Sequence, residues 1–531
     1  MKKSKKLLEL ALKNYKNKQY RLAFQKFTNL AKAKNIDAIY HLGKMWYDGN
    51  HVKQDYVKAL DYFLQAGKQN HSNALYKIGY MYEYGQGVKQ NYSNAVIYYK
   101  KSAKLKDPEA LNNLGVKYAR GLGVEKNIET AIHYYQLASK YDSVIAKYNL
   151  AVLYFHGEET KKDQNRALEL FMELSKSNHH AALCYLGVFY YEGITVKQDL
   201  EKAREYYELA SKHGNGHASR NLSIIFLHGV GTKVDKVKAC HYLEMAFNQG
   251  LTDVKDELNK LYYDVGNELQ QIKYLQKAAA LNFAPAQYKI WNVCRHVNPE
   301  INNQEHVLAW NNLWLAAKQN YHPALADIGL LFYDGSFVKK DYEKALKYFR
   351  LASEQDNPRA LFFLGLMYEE GQGVSADESV SIKYYERAAQ KGFTDAQILL
   401  GDFYKNRHWE NVVLNITQKQ KNPNITNNQN ELQQAMNFYR SAALNGSPIA
   451  QYEFAKIISQ KKVTHEYELA VKLLISAANQ NYVDAIYELA RVYEKGLLGI
   501  IKNNEMAQKY YDVAAKHGHK NAKQHAKTML D

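Results

Sequence analysis

Cysteine is scarce. Only Cys184, Cys240 and Cys294 occur in 531 residues, more than fifty apart and without a C-x-x-C spacing. That pattern argues against both a disulfide framework and a cysteine zinc site. Seven prolines are few for this length, which favours helix over loop-rich β structure. Long apolar runs are missing as well, and none approaches the roughly 18 residues that a membrane helix needs. The start, Met1-Lys-Lys-Ser-Lys-Lys-Leu-Leu-Glu-Leu, is basic, but Glu9 and Lys13 interrupt its apolar stretch. No signal peptide is expected, and the expected location is intracellular, in the cytoplasm. Acid is in short supply: 54 Asp+Glu stand against 71 Lys+Arg, a formal charge of +17. That balance invites a nucleic-acid or membrane-surface reading unless the charge is confined. It is confined, because residues 1–35 hold eleven Lys+Arg and one acid, a net +10, which leaves +7 for the rest.

What the chain does have is a period. Ala38, Ala74, Ala110, Ala146, Ala182 and Ala218 fall 36 residues apart, and Val254, Ala286, Ala324, Ala360, Ala396, Ala450 and Ala485 mark further units, 13 in all. A period of this size means a stacked array, because one such unit cannot bury its apolar face alone. From each anchor, small or apolar residues at +4, +5 and +8 (Ile78, Gly79 and Tyr82 after Ala74) form the stripe of an amphipathic helix A. A glycine at +11 (Gly49, Gly85, Gly121, Gly157, Gly193, Gly229, Gly335, Gly371, Gly496) supplies its stop. Six residues later comes Asp or Asn (Asp55, Asn91, Asn127, Asp163, Asp199, Asp235, Asp341, Asp377, Asn503), the expected N-cap of a helix B. Pro108, Pro285, Pro323, Pro358 and Pro448 precede anchors by one or two residues, in the first turn where the missing N–H costs little.

The pattern A-x-x-x-L-G-x-x-Y-x-x-G-x-G-V-x-x-[DN]-x-x-x-A-x-x-Y-Y-x-x-[AS]-A, nearly complete at Ala74–Ala103 and Ala110–Ala138, resembles the Sel-1-like repeat family. The resemblance covers residues 36–519. It implies an all-α fold, an α/α superhelical solenoid of about 13 helix-turn-helix repeats related to tetratricopeptide repeats. It also implies a non-catalytic scaffold or adaptor for protein complexes. Residues 1–35 read as a degenerate basic opening repeat and 520–531 as a capping helix. The stretches near 251–322 and 395–482 read as degenerate units, with Val265, Val297, Arg407 and Lys461 at +11 in place of glycine. Residues 407–430, rich in Asn and Gln and carrying sequons at Asn415 and Asn424, are expected to be a loop insertion between helices A and B.

Helix A of such repeats is expected to line the concave surface. On a helical wheel, positions +2, +6 and +9 face away from the stripe and ought to be polar. They hold Tyr40, Tyr47, Tyr76, Tyr80, Tyr148, Phe155, Tyr191, Tyr288, Tyr333, Phe362, Tyr452 and Tyr487. An aromatic groove for a protein partner is one use of these rings, since Tyr offers large amphipathic contact area. Packing against the next helix A is the other. Lys2, Lys3, Lys5 and Lys6 are candidate contacts to an acidic partner, nucleic acid or anionic lipid.

The histidine pairs His179-His180, His213 with His217, and His517 with His519 have ligand spacing but no accompanying Cys or carboxylate set, so no metal site is expected. Gly85-Gln-Gly87 and Gly371-Gln-Gly373 follow helices, not the strand that a phosphate loop needs. No nucleophile, base and orienting group come together, and neither catalysis nor a cofactor is expected. The competing reading is an RNA-binding helical-repeat protein using its basic surface. Its positions +2, +6 and +9 lack the recurring polar choices of a base-reading array.

Overall fold

The computed structural model describes residues 2–157, 162–295, 303–419, 430–462 and 464–528. Among these residues there are 29 α-helices, two short 3₁₀ turns and no strand. The chain divides into two units, Met1–Leu261 and Tyr262–Asp531.

In the first unit a leading helix pair, Lys2–Lys16 and Tyr20–Lys32, precedes six A/B pairs running from Ile36 to Asn248. The second unit continues in the same manner through Ile272–Ala280 to the pair Val483–Lys495 and Asn504–Lys516, then ends on a last helix, Lys520–Thr528. The anchor alanines are fully buried, and around them close the large side chains of helix B, such as Phe63, Phe171 and Phe349. Each such Phe contributes about 1.5–3 kcal/mol by leaving water. Close approach sets the small residue at +5: a Cβ on Gly187 would lie 2.4 Å from the Tyr207 ring.

The local signals are realised. Helix A of the Ala74 unit ends on Gly85 at φ 68°, whose N–H bonds the Met81 carbonyl. All nine +11 glycines adopt this left-handed conformation. The nine Asp and Asn residues that open helix B accept from the backbone N–H three residues on, from Asp55 with Lys58 at 3.0 Å to Asn503 with Met506 at 2.9 Å. The five prolines occupy first turns of helix A. Asp199→Ala is therefore expected to cost about 1 kcal/mol. Hydrogen exchange over helix Leu200–Lys212 is the measurement that checks it, since a local cap in a repeat array need not shift a global transition.

One expectation needs correction. Residues 407–430 do not begin as a loop, because helix A of the Ala396 unit runs on from Thr394 to Lys419 and helix B starts at Asn430. Arg407 stands where other units have the stopping glycine, and no Gly or Pro follows until Pro423. Glu431, mostly buried, secures the extension by accepting from Asn411 Nδ2 at 2.8 Å and pairing with Arg407 at 3.3 Å. Residues 420–429, including the Asn424 sequon, lie outside the described residues.

Candidate protein-interaction face

Position +2 of helix A meets the residue just before the next helix A. Tyr40 stacks on His71 at 4.5 Å, Tyr148 on His179 at 5.0 Å and Tyr487 on His519 at 4.0 Å. Tyr288 meets Tyr321 at 5.7 Å, Phe362 meets Phe393 at 5.1 Å and Tyr452 meets Tyr482 at 5.5 Å. The three histidines are helix caps. Their Nδ1 atoms accept from the backbone N–H of Ala74, Ala182 and Ala522 at 3.2, 3.3 and 3.2 Å. An accepting Nδ1 requires the neutral ring, and burial pushes the pKa of His71 and His179 down. Ligand spacing in His179-His180 and His517 with His519 thus reflects capping. Among the described residues no group of three or more metal-ligating side chains is found. Tyr76 has Asp107 ahead of it and packs instead on Tyr99 at 5.8 Å and Tyr80 at 6.3 Å, its phenol pushed up to about 12 by burial and then by Glu109.

Positions +6 and +9 are less uniform. The Tyr47 hydroxyl donates to Gln86 Oε1 at 2.6 Å, and Lys77 Nζ lies 5.1, 5.8 and 5.2 Å from the rings of Tyr47, Tyr76 and Tyr80. Burial lowers the Lys77 pKa. Tyr80 is 4.5 Å from Tyr84, whose ring is 56% exposed. Phe155 packs on Tyr185 and Phe189, and Tyr333 on Tyr342 and Phe363. Tyr191 lines a cavity. All twelve aromatics singled out from the sequence are half-buried, so each commits part of its ring to the array and leaves part accessible.

A second regularity links +9 to helix B. Where the second aromatic of helix B is Tyr, an acid on helix A often receives its hydroxyl: Tyr99 donates to Glu83 at 2.7 Å, Tyr385 to Glu369 at 2.5 Å and Tyr511 to Glu494 at 2.7 Å. Tyr439 uses Asp402 at 2.6 Å, one turn earlier. Where that aromatic is Phe63, Phe171 or Phe349, position +9 carries a ring instead, namely Tyr47, Phe155 or Tyr333.

This 36-residue architecture, with A and B helices locked in register, is matched by one family model, the Sel1 repeat, over residues 36–71, 72–107, 108–140, 144–174, 180–215, 216–251, 272–283, 322–357, 358–393, 429–447, 458–482 and 483–519. The chain belongs to the Sel1 repeat family. Proteins with Sel1 repeats generally serve as protein-interaction scaffolds. Among solved structures, a protective antigen of uropathogenic Escherichia coli with an SLR fold is 21% identical, with 96% of this chain and 90% of that chain covered and a TM-score of 0.40. A Sel1 repeat protein from Oxalobacter formigenes is 29% identical over 45% of this chain and 99% of that chain, with a TM-score of 0.42. A comparison with curated proteins finds no match.

The Sel1 model leaves out the whole unit anchored at Ala286. Here the array is held differently. Asp327, 2% exposed, accepts from Trp291 Nε1 at 2.9 Å, from Tyr288 Oη at 3.2 Å and from Arg359 at 2.8 Å, and pairs with Arg295 at 3.4 Å. One carboxylate thus ties three successive A helices together. In the first unit, buried Lys117 pairs with Glu83, the same carboxylate that receives Tyr99. Neither cluster was foreseen from the sequence, because Asp327 and Lys117 recur at no fixed repeat position. On the leading helix Lys5 and Lys6 are exposed, while the side chains of Lys2 and Lys3 lie outside the described residues. No helix among the described residues is long and apolar enough to cross a membrane.

Proposed function

We propose that the A-helix face of this Sel1 array is a non-catalytic docking surface, and that the protein acts as a scaffold or adaptor. The observation that supports it is the set of half-buried aromatics, from Tyr40 to Tyr191 in the first unit and from Tyr288 to Tyr487 in the second, several of them anchored by packing between repeats. Such rings are held rigid before a partner arrives, so little side-chain entropy is lost on contact. In the first unit the cluster of Tyr80, Tyr84 and Lys77 includes the exposed Tyr84 and combines aromatic edges with a cation.

The test is co-purification from the native cell with the wild-type protein and with the double variant Tyr80→Ser, Tyr84→Ser. These two rings lie at the edge of the face, so the variant should keep its helical content and melting profile. At least one partner should fall several-fold in yield. Retention of every partner at wild-type yield would remove this face from the function of the first unit. The basic leading pair, with Lys5 and Lys6 exposed, adds a contact for an acidic partner or anionic lipid that salt would weaken.

A further inference from the structure

Two of the buried helix-B tyrosines lack the acid that the others have. Tyr135 faces Ala119 at +9 where Tyr99, Tyr385 and Tyr511 face glutamates, and Tyr207 faces Tyr191. At both places a cavity opens on the A-helix face, of 190 Å³ at Tyr135 and 240 Å³ at Tyr207. The two are the same site one repeat removed: Tyr135, Asn149 and Val152 line the first, and Tyr207, Asn221 and Ile224 line the second. In the unit between them the space is taken. Tyr185 replaces the Asn and stacks on Phe171 at 4.6 Å, and Phe155 closes in at 5.1 Å from Tyr185.

We infer that this face binds an extended protein segment that places a carboxylate side chain at Tyr135 and an aliphatic side chain at Tyr207. The inference rests on the docking-surface reading above and gives it a ligand. Tyr135 is 5% exposed and lines the first cavity, and helix A offers it no acid, since position +9 of its unit is Ala119. Elsewhere in the array a glutamate carboxylate takes the tyrosine hydroxyl; at Ala119 it is missing and the cavity stands in its place. Arg120 and His156 at the rim make the site complementary to an anion, and the Arg120 charge favours the ionised partner. The second cavity differs where it should. Asn221 already faces the Tyr207 hydroxyl, Glu192 at the rim repels a carboxylate, and Val188, Ile224 and Ile225 form apolar walls.

Spacing sets the length of the motif. Packed helices lie about 8–10 Å apart, so sites two repeats apart are separated by about 16–20 Å. An extended chain rising about 3.3 Å per residue spans that in roughly five or six residues.

The experiment selects dodecapeptides from a random phage-displayed library on the full-length protein and measures the best binders by fluorescence anisotropy. The expected sequences carry Asp or Glu and, five or six positions away, Leu, Ile, Val or Met. Ala119→Glu gives Tyr135 the internal acid found in other units, and should weaken these peptides at least tenfold while leaving the melting profile unchanged or raised. Tyr135→Phe, which removes only the hydroxyl, should cost severalfold for the acidic peptide and nothing for its Asn or Gln counterpart. This second variant reports even if the first perturbs the fold. Peptides without an acid, or with equal affinity for the wild type and both variants, would overturn the inference. If such peptides are nonetheless lost in the Tyr80→Ser, Tyr84→Ser protein, the docking-surface reading survives without it. A library that yields no binder overturns both.

Discussion

Replacing Asp327 by alanine is expected to cost about 1–3 kcal/mol, the penalty of a buried donor left without its acceptor. The Trp291 N–H, which reaches Asp327 at 2.9 Å within the core, would be left without an acceptor, and Tyr288 would lose a 3.2 Å bond. Arg359 and Arg295 are partly exposed and can turn to water, so the cost falls on the indole and on the packing it fixes. Hydrogen exchange should show lost protection in helices Ala284–Cys294, His322–Asp334 and Pro358–Glu370 together. Asp327→Asn keeps an acceptor for the indole and should lose less. Unchanged protection of Ala284–Cys294 in the alanine variant would show that the carboxylate is not what joins these helices.

Acidification should loosen the leading pair first. His41 lies between Phe27, stacked at 5.0 Å, and the rings of Tyr15 and Tyr40 at 5.9 and 5.2 Å, and among the described residues its buried Nδ1 has no hydrogen-bond partner. Burial, then the charge of Lys44, pushes its pKa down to about 4, with Asp37 opposing and His71 adding slightly. The folded chain therefore binds this proton less readily than the unfolded chain. Stability is complete above pH 6.5 and is lost as pH falls from there to about 4. A pKa lowered from 6.5 to about 4 corresponds to about 3 kcal/mol at the acid end. His71, also depressed by burial, acts in the same direction, because its protonated ring can no longer cap Ala74. Exchange rates corrected for intrinsic pH dependence should rise in residues 20–48 between pH 7 and 4.5, and His41→Phe should flatten that rise. An equal rise in the His41→Phe protein would exclude His41 as the cause.

The helices were legible because their signals are short-range and repeated. Asp55 and its eight counterparts cap helix B from a fixed offset with the two residue types best suited to it. Caps of helix A were harder to read, since Asn35, His71, Asp107 and Ser143 share a position and a function but no residue type. The rings at +2 were read as outward-facing from the wheel of a single helix. Where they reach the next unit, their contacts lie 30–33 residues ahead, as Tyr40 with His71, a distance that no helical wheel samples. At Arg407 the missing glycine was visible, yet its consequence is a longer helix and not a longer loop. Asp327 had no signal at all, because its four partners come from two other units, those anchored at Ala286 and Ala360, and apart from Tyr288 at +2 none was singled out by the repeat pattern.

The contact from +2 to the following cap also gives the repeats a direction. In the six units that make it, the ring at +2 reaches forward to a residue at the tail of its own block, just before the next helix. Tyr40 and His71 both lie within residues 36–71. Excising residues 72–107 would therefore leave Tyr40 on His71, with His71 now ahead of the helix that starts at Pro108. Blocks cut at these boundaries carry their own joint, so the array can gain or lose whole units without a new interface being devised.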